Sequence, residues 1–250
     1  MIQPSALVLL AASLFTPAAS AHGEITSPPA RLPGPAMVQA CGQQAVNAVL
    51  ADSTMPIESV PFSSSSSCKP QPSLSSGHLP FSLHHVPSST DTIPDLKGNP
   101  FLCRGALFAD NASLLQRFTP GQTIPFKASI PIPHEGPCNV SVVNTQTNSV
   151  VGQPLLVFDS YADERLARLP ANNTAFSVTL PTDGEVLKEC GAPGVCVLQW
   201  FWFGEGARQT YESCVDFVVE VSTGVQEGAA QGGGEKLNKC GRVGKRRQRR

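Results

Sequence analysis

The chain has 250 residues, eight cysteines and a formal net charge of −1. Eight of its eighteen basic residues lie between Lys236 and Arg250, so residues 1–222 carry ten basic and seventeen acidic side chains. With a net charge near −7, this part of the chain lacks the clustered positive charge that binding to nucleic acid requires, which argues against a nucleic-acid-binding domain. The length predicts one folded domain with attached segments of low order.

The N-terminus has the features of a secretory signal peptide. An apolar run from Ala6 to Phe15 precedes Ala19-Ser-Ala, the small-residue pattern that signal peptidase recognises, so residues 1–21 are predicted to be removed. The run is too short to span a membrane, and no other segment is predicted to do so. Cleavage would make His22 the first residue, with a free α-amine beside its imidazole. These two nitrogens can close a chelate ring on a metal, and such donors favour Cu(II). The alternative is that a histidine follows the cleavage site by chance.

Cysteines and glycosylation sequons both indicate a secreted glycoprotein. Eight cysteines behind a signal peptide predict an oxidising compartment and several disulfides. The short spacing of Cys190 and Cys196 permits a disulfide between them, whereas Cys240 is either a free thiol or an intermolecular partner. Sequons at Asn111, Asn139 and Asn172 fit the same compartment, and they mark surface positions if they are glycosylated.

The first third of the expected domain has little regular pattern. From His22 to Ala51 the sequence predicts irregular structure with one short helix from Met37 to Leu50. Residues 62–98 are rich in Ser and Pro and predict a long inserted loop of low order. Its three histidines are interpreted as solvated side chains rather than metal ligands. They are His78, His84 and His85.

Short apolar alternations separated by Pro and Gly turns follow from residue 101 to residue 221, and they predict about six antiparallel strands. The clearest strand segments are 123–130, 139–143, 154–158, 175–180, 196–203 and 214–221. Such a series predicts an all-β fold, an antiparallel β-sandwich with long loops, within a domain spanning residues 22–222. Residues 223–250 are Gly-rich and then basic, which predicts an unstructured tail.

Two segments of the predicted sandwich supply further candidates for a metal site. His134 lies in a Pro- and Gly-marked loop just before a strand, a position where sandwich folds display ligands, although a loop histidine without a task is the alternative. Gln209 and Tyr211 open the last strand, and alternation places them on one face. Tyr211 is a candidate axial ligand and Gln209 a candidate hydrogen-bonding neighbour, unless Tyr211 is only a half-buried aromatic.

The aromatic run from Trp200 to Phe203 invites a second interpretation, a platform for stacking on sugars. Alternation sends Trp200 and Trp202 to one face and Phe201 and Phe203 to the other. At least one of the two pairs is therefore expected in the core, which favours packing over sugar binding.

Taken in order, three motifs resemble the copper-dependent lytic polysaccharide monooxygenases, in particular secreted fungal proteins with a chitin-binding type-4-like domain. The motifs are His22-Gly-Glu-Ile-Thr-Ser-Pro-Pro-Ala-Arg31, His134-Glu-Gly-Pro and Gln209-x-Tyr211-x-x-Cys214. The resemblance spans residue 22 to about residue 221. It implies an immunoglobulin- or fibronectin III-like sandwich in which the amine and ring of His22 and the ring of His134 hold copper as a histidine brace. It further implies Tyr211 as axial ligand and Gln209 in the second sphere.

The resemblance also implies an activity and its partners. The expected protein is a secreted, monomeric oxidoreductase that uses copper and an external electron donor to cleave chitin, cellulose or a related glucan. Arg31 and aromatic residues near the brace are candidate substrate contacts. The Ser- and Pro-rich insertion and Cys138, directly after the second motif, depart from the family pattern. Two alternatives stay open: a copper-binding protein of the same fold without catalysis, and a polysaccharide-binding module in which the histidines are incidental.

Overall fold

The computed structural model describes residues 22–63, 102–182 and 184–220. Three predicted segments lie outside these residues entirely or almost entirely: the signal peptide, the insertion with its three histidines, and the tail with Cys240. In the described ranges, every helix is too short or too polar to cross a bilayer.

Nine strands and five short α-helices form the described chain. The strands, in chain order, are β1 (His22–Ser27), β2 (Gln116–Phe118), β3 (Thr123–Ile132), β4 (Gly136–Asn144), β5 (Ser149–Val150), β6 (Leu156–Tyr161), β7 (Ala175–Thr179), β8 (Cys196–Gly204) and β9 (Gln209–Val219). The helices are α1 (Pro35–Cys41), α2 (Gln43–Ala51), α3 (Phe108–Asn111), α4 (Ala171–Thr174) and α5 (Glu185–Glu189). Short 3-10 turns cover Ile57–Ser59, Leu102–Gly105 and Ala112–Leu114.

These strands make two sheets that share one hydrophobic core, which confirms the predicted all-β sandwich. One sheet has the order β1-β3-β7, and the other has the order β2-β9-β8-β4-β5, with β6 also paired to β4. All pairs are antiparallel except β2 with β9. Apolar side chains of both sheets, such as Phe126 and Val178 on one and Val140 and Leu198 on the other, meet in a single buried cluster.

The aromatic run on β8 is part of this core. Trp200 and Trp202 have no exposed surface, whereas Phe201 and Phe203 on the opposite face are half-buried. The alternation is therefore the one that the sequence predicts. Neither tryptophan is available to stack on a sugar, so the platform interpretation is wrong for both.

The region before Ala51 is more regular than the sequence predicts. Residues 22–27 form β1, which pairs antiparallel with β3 about a hundred residues later in the chain. Because the partner strand is so distant, no local sequence pattern predicts β1. The predicted helix from Met37 to Leu50 is instead two helices, because Gly42 interrupts it with a φ of +92°. The strands β2 and β5, which the sequence analysis also missed, contain only three and two residues.

A buried ion pair fastens the segment after β1 to β9. Arg31 donates from Nε and Nη2 to the two carboxylate oxygens of Asp216, at 2.8 and 2.6 Å, and from Nη1 to the carbonyl oxygen of Ala106 at 3.1 Å. The side chains of Arg31 and Asp216 are only 5% and 1% exposed. The expectation that Arg31 contacts substrate is therefore wrong, because its guanidinium donates its hydrogen bonds to Asp216 and Ala106 inside the domain.

Disulfides and sequons also take definite places. Cys190 and Cys196 form the predicted short-loop disulfide, and Cys103 is bonded to Cys214, while Cys138 is a buried free thiol. Asn111 is 1% exposed, and its side-chain amide is hydrogen-bonded to both the N–H and the carbonyl of Leu32, so this sequon does not mark a surface position. Asn139 is half-buried and Asn172 is exposed.

We predict that Arg31→Ala destabilises the protein by about 3–5 kcal/mol, because it leaves the Asp216 carboxylate buried without its partner. The matched control is Arg117→Ala, which removes an ion pair with Glu220 whose side chains are 63% and 52% exposed. That loss should be about 1 kcal/mol or less. Urea unfolding of the two variants measures both values, and equal losses would contradict the structural role of the buried pair.

Candidate metal centre

The turn after α2 holds His22 through both its main chain and its side chain. The Gly23 N–H donates to the Thr54 carbonyl oxygen at 2.9 Å, and His22 Nε2 lies 2.8 Å from Asp52 Oδ2. The other oxygen of Asp52 accepts from the N–H and the hydroxyl of Thr54, at 2.9 and 2.6 Å. The imidazole therefore meets a carboxylate that is itself fixed by its own turn.

The surroundings keep Asp52 ionised. Partial burial by itself would raise the pKa of its carboxyl, but the hydrogen bonds from Thr54 and the contact with His22 outweigh burial and hold the pKa below its ordinary value. Asp52 is consequently an acceptor for the His22 Nε2–H. A neutral imidazole that donates through Nε2 carries its lone pair on Nδ1, the nitrogen nearer the main chain.

His134 lies in the three-residue bend between β3 and β4. It is 8% exposed, and its Nδ1 is buried with no hydrogen-bond partner. The bend is tight, since a Cβ at Gly136 would lie only 1.9 Å from the Phe203 carbonyl oxygen, which explains the glycine of the second motif. A buried ring nitrogen without a partner is unfavourable unless something binds it, so this side chain fits the role of a metal ligand.

Trp202 connects the parts of the chain that the sequence proposed as a site. Its Nε1–H donates to the His134 carbonyl oxygen at 3.1 Å, and its ring stacks on Tyr211 with the centroids 4.4 Å apart. A Cβ at Gly23 would lie 2.9 Å from the same indole, so the residue after His22 packs directly on it. His22 also pairs with Ile132, two residues before His134. The structure thus brings His22, His134 and Tyr211 to one end of the sandwich.

Tyr211 and Gln209 interact with each other at this end. The buried Tyr211 hydroxyl donates to Gln209 Oε1 at 2.8 Å. Burial raises the pKa of Tyr211 above its ordinary value, and the negative charges of Glu58 and Asp52 raise it further. Tyr211 is therefore a neutral phenol that orients the Gln209 amide, and both residues lie where the alternation predicts.

Three residues that shape this end of the domain are not among the site candidates predicted from the sequence. Asp52 contacts His22, Glu58 accepts the Thr210 N–H with both carboxylate oxygens at 3.1 and 2.9 Å, and Trp202 lies between the motifs. None of the three belongs to a motif, and two of them sit in an irregular stretch after α2. The alternation of β8 did place Trp202 in or beside the core.

A charged loop borders His134. Glu164 accepts the Glu135 N–H at 2.6 Å, and Arg165 forms ion pairs with Glu135 and with Asp163. No aromatic side chain in the described ranges is exposed, since all of them are buried or half-buried. Rings near the predicted brace, such as Phe203 beside the His134 bend, are therefore only partly accessible.

The donor set predicted from the sequence, two imidazoles and the α-amine that cleavage would expose, is one that suits copper better than most metals. Within the described residues, no three His, Cys, Asp or Glu side chains cluster closely enough to hold an ion. The ligand set predicted from the sequence is of another kind, since it has only two such side chains, both histidines, and takes its third nitrogen from an α-amine. Neutral nitrogen donors of this kind are ligands that Cu(II) prefers.

Comparisons with known proteins find only distant structural likeness. No protein-family model matches the chain, and no curated protein matches its sequence. A solved chitin-binding domain from Burkholderia pseudomallei aligns over 80% of this chain and 100% of its own, at 13% identity and a TM-score of 0.37. A cellulose-active lytic polysaccharide monooxygenase in complex with copper aligns over 79% and 98%, at 12% identity and a TM-score of 0.37. The assignment of a site therefore rests on the residues of this chain.

We predict that neither tyrosine ionises in the native protein at the pH where free tyrosine does. The chain has two tyrosines, and burial raises the pKa of both Tyr161 and Tyr211 above the ordinary value of 10.0. Absorbance at 295 nm should show two tyrosinates forming near about pH 10 in guanidinium and none there in buffer. Since the folded state keeps these protons longer, its stability should be complete below about pH 10 and should fall as the pH rises above that value. Native ionisation near the ordinary pKa would contradict this burial.

Proposed function

We propose that the protein is secreted, begins at His22 after maturation, and binds one copper ion through the amine and ring of His22 and the ring of His134. We further propose that it acts as a copper monooxygenase that cleaves a polysaccharide oxidatively. The observation that carries the proposal is the buried, unpartnered Nδ1 of His134 at the end of the sandwich where β1 begins with His22. The substrate class comes from the motif resemblance.

The residues around the site have distinct tasks in this proposal. Asp52 accepts the Nε2–H of His22, so the lone pair of that ring is on Nδ1, beside the α-amine with which it closes a chelate ring. Copper held there would supply one-electron chemistry, with electrons from an external donor and oxygen or peroxide as the oxidant. Tyr211 keeps its proton and orients the Gln209 amide.

The two disulfides support the secretion that this proposal requires. Cys103–Cys214 and Cys190–Cys196 are both bonded, and disulfides persist in oxidising environments outside the cytosol. Processing of residues 1–21 is the step that would generate the third nitrogen donor, because the His22 nitrogen is an amide in the unprocessed chain.

A second candidate is a copper-binding protein of the same fold without polysaccharide oxidation. One observation favours it: the described surface offers no exposed aromatic ring on which a sugar could stack. Charged and polar side chains such as Glu135 and Arg165 border the site instead. The same observation disfavours a non-catalytic polysaccharide-binding module.

We predict that mature protein beginning at His22 binds one Cu(II) tightly and that a form with one additional N-terminal alanine binds far more weakly, because its His22 nitrogen is an amide. His134→Ala should weaken binding strongly, whereas His84→Ala, in the Ser- and Pro-rich insertion, should not. Isothermal titration calorimetry measures all four proteins. Equal binding by the extended form, or equal losses in the two histidine variants, would rule out the proposed donor set.

We predict that copper-loaded protein, given a reductant and peroxide, releases oxidised oligosaccharides from at least one of chitin, cellulose, xylan and starch. Mass spectrometry of the soluble products detects them. The His134→Ala variant serves as the control for free copper chemistry and should release none. Tight copper binding with no oxidised product from any polymer would favour the second candidate.

A further inference from the structure

We propose that Asp52 is a positioning residue that sets the orientation and tautomer of the His22 imidazole, and that Arg104 fixes the turn that carries Asp52. This inference rests on the proposed copper site and adds the residues that prepare one of its ligands. Its evidence comes from contacts outside the three sequence motifs.

The contact between Asp52 and His22 restricts the imidazole ring of His22, whose main chain is already held by other bonds. The backbone of β1 is already held by its pairing with β3 and by the 2.9 Å bond from the Gly23 N–H to Thr54. The Asp52 carboxylate, 2.8 Å from His22 Nε2, therefore adds a constraint on the ring itself. Carboxylates that accept the second N–H of a metal-binding histidine fix its tautomer and raise its basicity.

Arg104 explains why the turn of Asp52 is held in place. Arg104 is 7% exposed, and its guanidinium donates from Nη1 to the carbonyl oxygens of Ser53 and Met55, the second at 3.3 Å. These carbonyls flank Thr54, which in turn bonds Asp52. The buried Arg104 guanidinium thus holds the main chain of the turn, while the Asp52 carboxylate faces His22. The carboxylate can move away from His22 only if its hydrogen bonds from Thr54 break.

The segment that carries Arg104 is itself fixed to β9. Cys103 and Arg104 adopt φ values of 59° and 54°, in the left-handed region that residues with a side chain rarely occupy. The disulfide to Cys214 and the 2.9 Å bond from the Cys103 N–H to Glu212 hold this conformation. Since β9 also carries Gln209 and Tyr211, a continuous series of contacts runs from that strand through Arg104 and Asp52 to His22.

The first test measures the imidazole in metal-free mature protein. Long-range proton–nitrogen NMR on 15N-histidine-labelled protein should show His22 as the Nε2–H tautomer in the wild type. Asp52→Ala should give a mixture of tautomers, and Asp52→Asn should retain the Nε2–H form, since its amide oxygen still accepts. Asp159→Ala is the matched control, because Asp159 is an exposed aspartate on β6 and should change nothing. Thermal unfolding of each variant verifies that the fold is retained.

The second test measures copper. Asp52→Ala should weaken Cu(II) binding by about 10- to 100-fold and alter the EPR spectrum, as removal of such a partner typically does. Asp52→Asn should lose less, and Asp159→Ala should match the wild type. An unchanged tautomer together with unchanged copper affinity in Asp52→Ala would overturn the proposal. If the wild type itself binds no copper, the proposed function fails, whereas the metal-free tautomer still decides whether Asp52 sets the ring.

Discussion

The proposed site depends on how Trp202 packs between the two sheets. Its indole touches Gly23 on β1, stacks on Tyr211 of β9 and donates to the carbonyl of His134 in the bend before β4. A side chain at residue 23 would collide with this ring, so the residue after His22 has to be small. Three segments that are far apart in the chain therefore meet around one buried indole. Because the core is close-packed, these contacts restrict the positions of the main chain at His22 and His134.

A second layer of polar contacts determines what this end of the domain can do. Asp52 faces His22, Tyr211 orients Gln209, and Arg104 holds the turn between them from inside the protein. By contrast, the ion pair between Arg31 and Asp216 holds β9 to the segment after β1. Arg31, which the sequence offered as a candidate substrate contact, is therefore structural, and the charge that faces His22 comes from Asp52, outside the motifs.

The distribution of aromatic side chains limits how a polymer could be held. Both tryptophans and both tyrosines are buried, and each contributes to packing near the site or in the core below it. In the described ranges, the side chains that border His134 most openly are the polar and charged residues of the neighbouring loop, such as Glu135 and Arg165.

The sequence by itself determined the sandwich class, the faces of β8 and β9 and the short-range disulfide, because alternation and close spacing are local properties that a strand or a small loop preserves. Only the tertiary structure decided that residues 22–27 form a strand, that Arg31 is buried on Asp216, that Asn111 is inside and that Asp52 meets His22. Most of these contacts join residues far apart in the chain, such as His22 with Ile132 or Arg31 with Asp216. They arise when two sheets close on one core, and no pattern within a single segment encodes which residues will meet there.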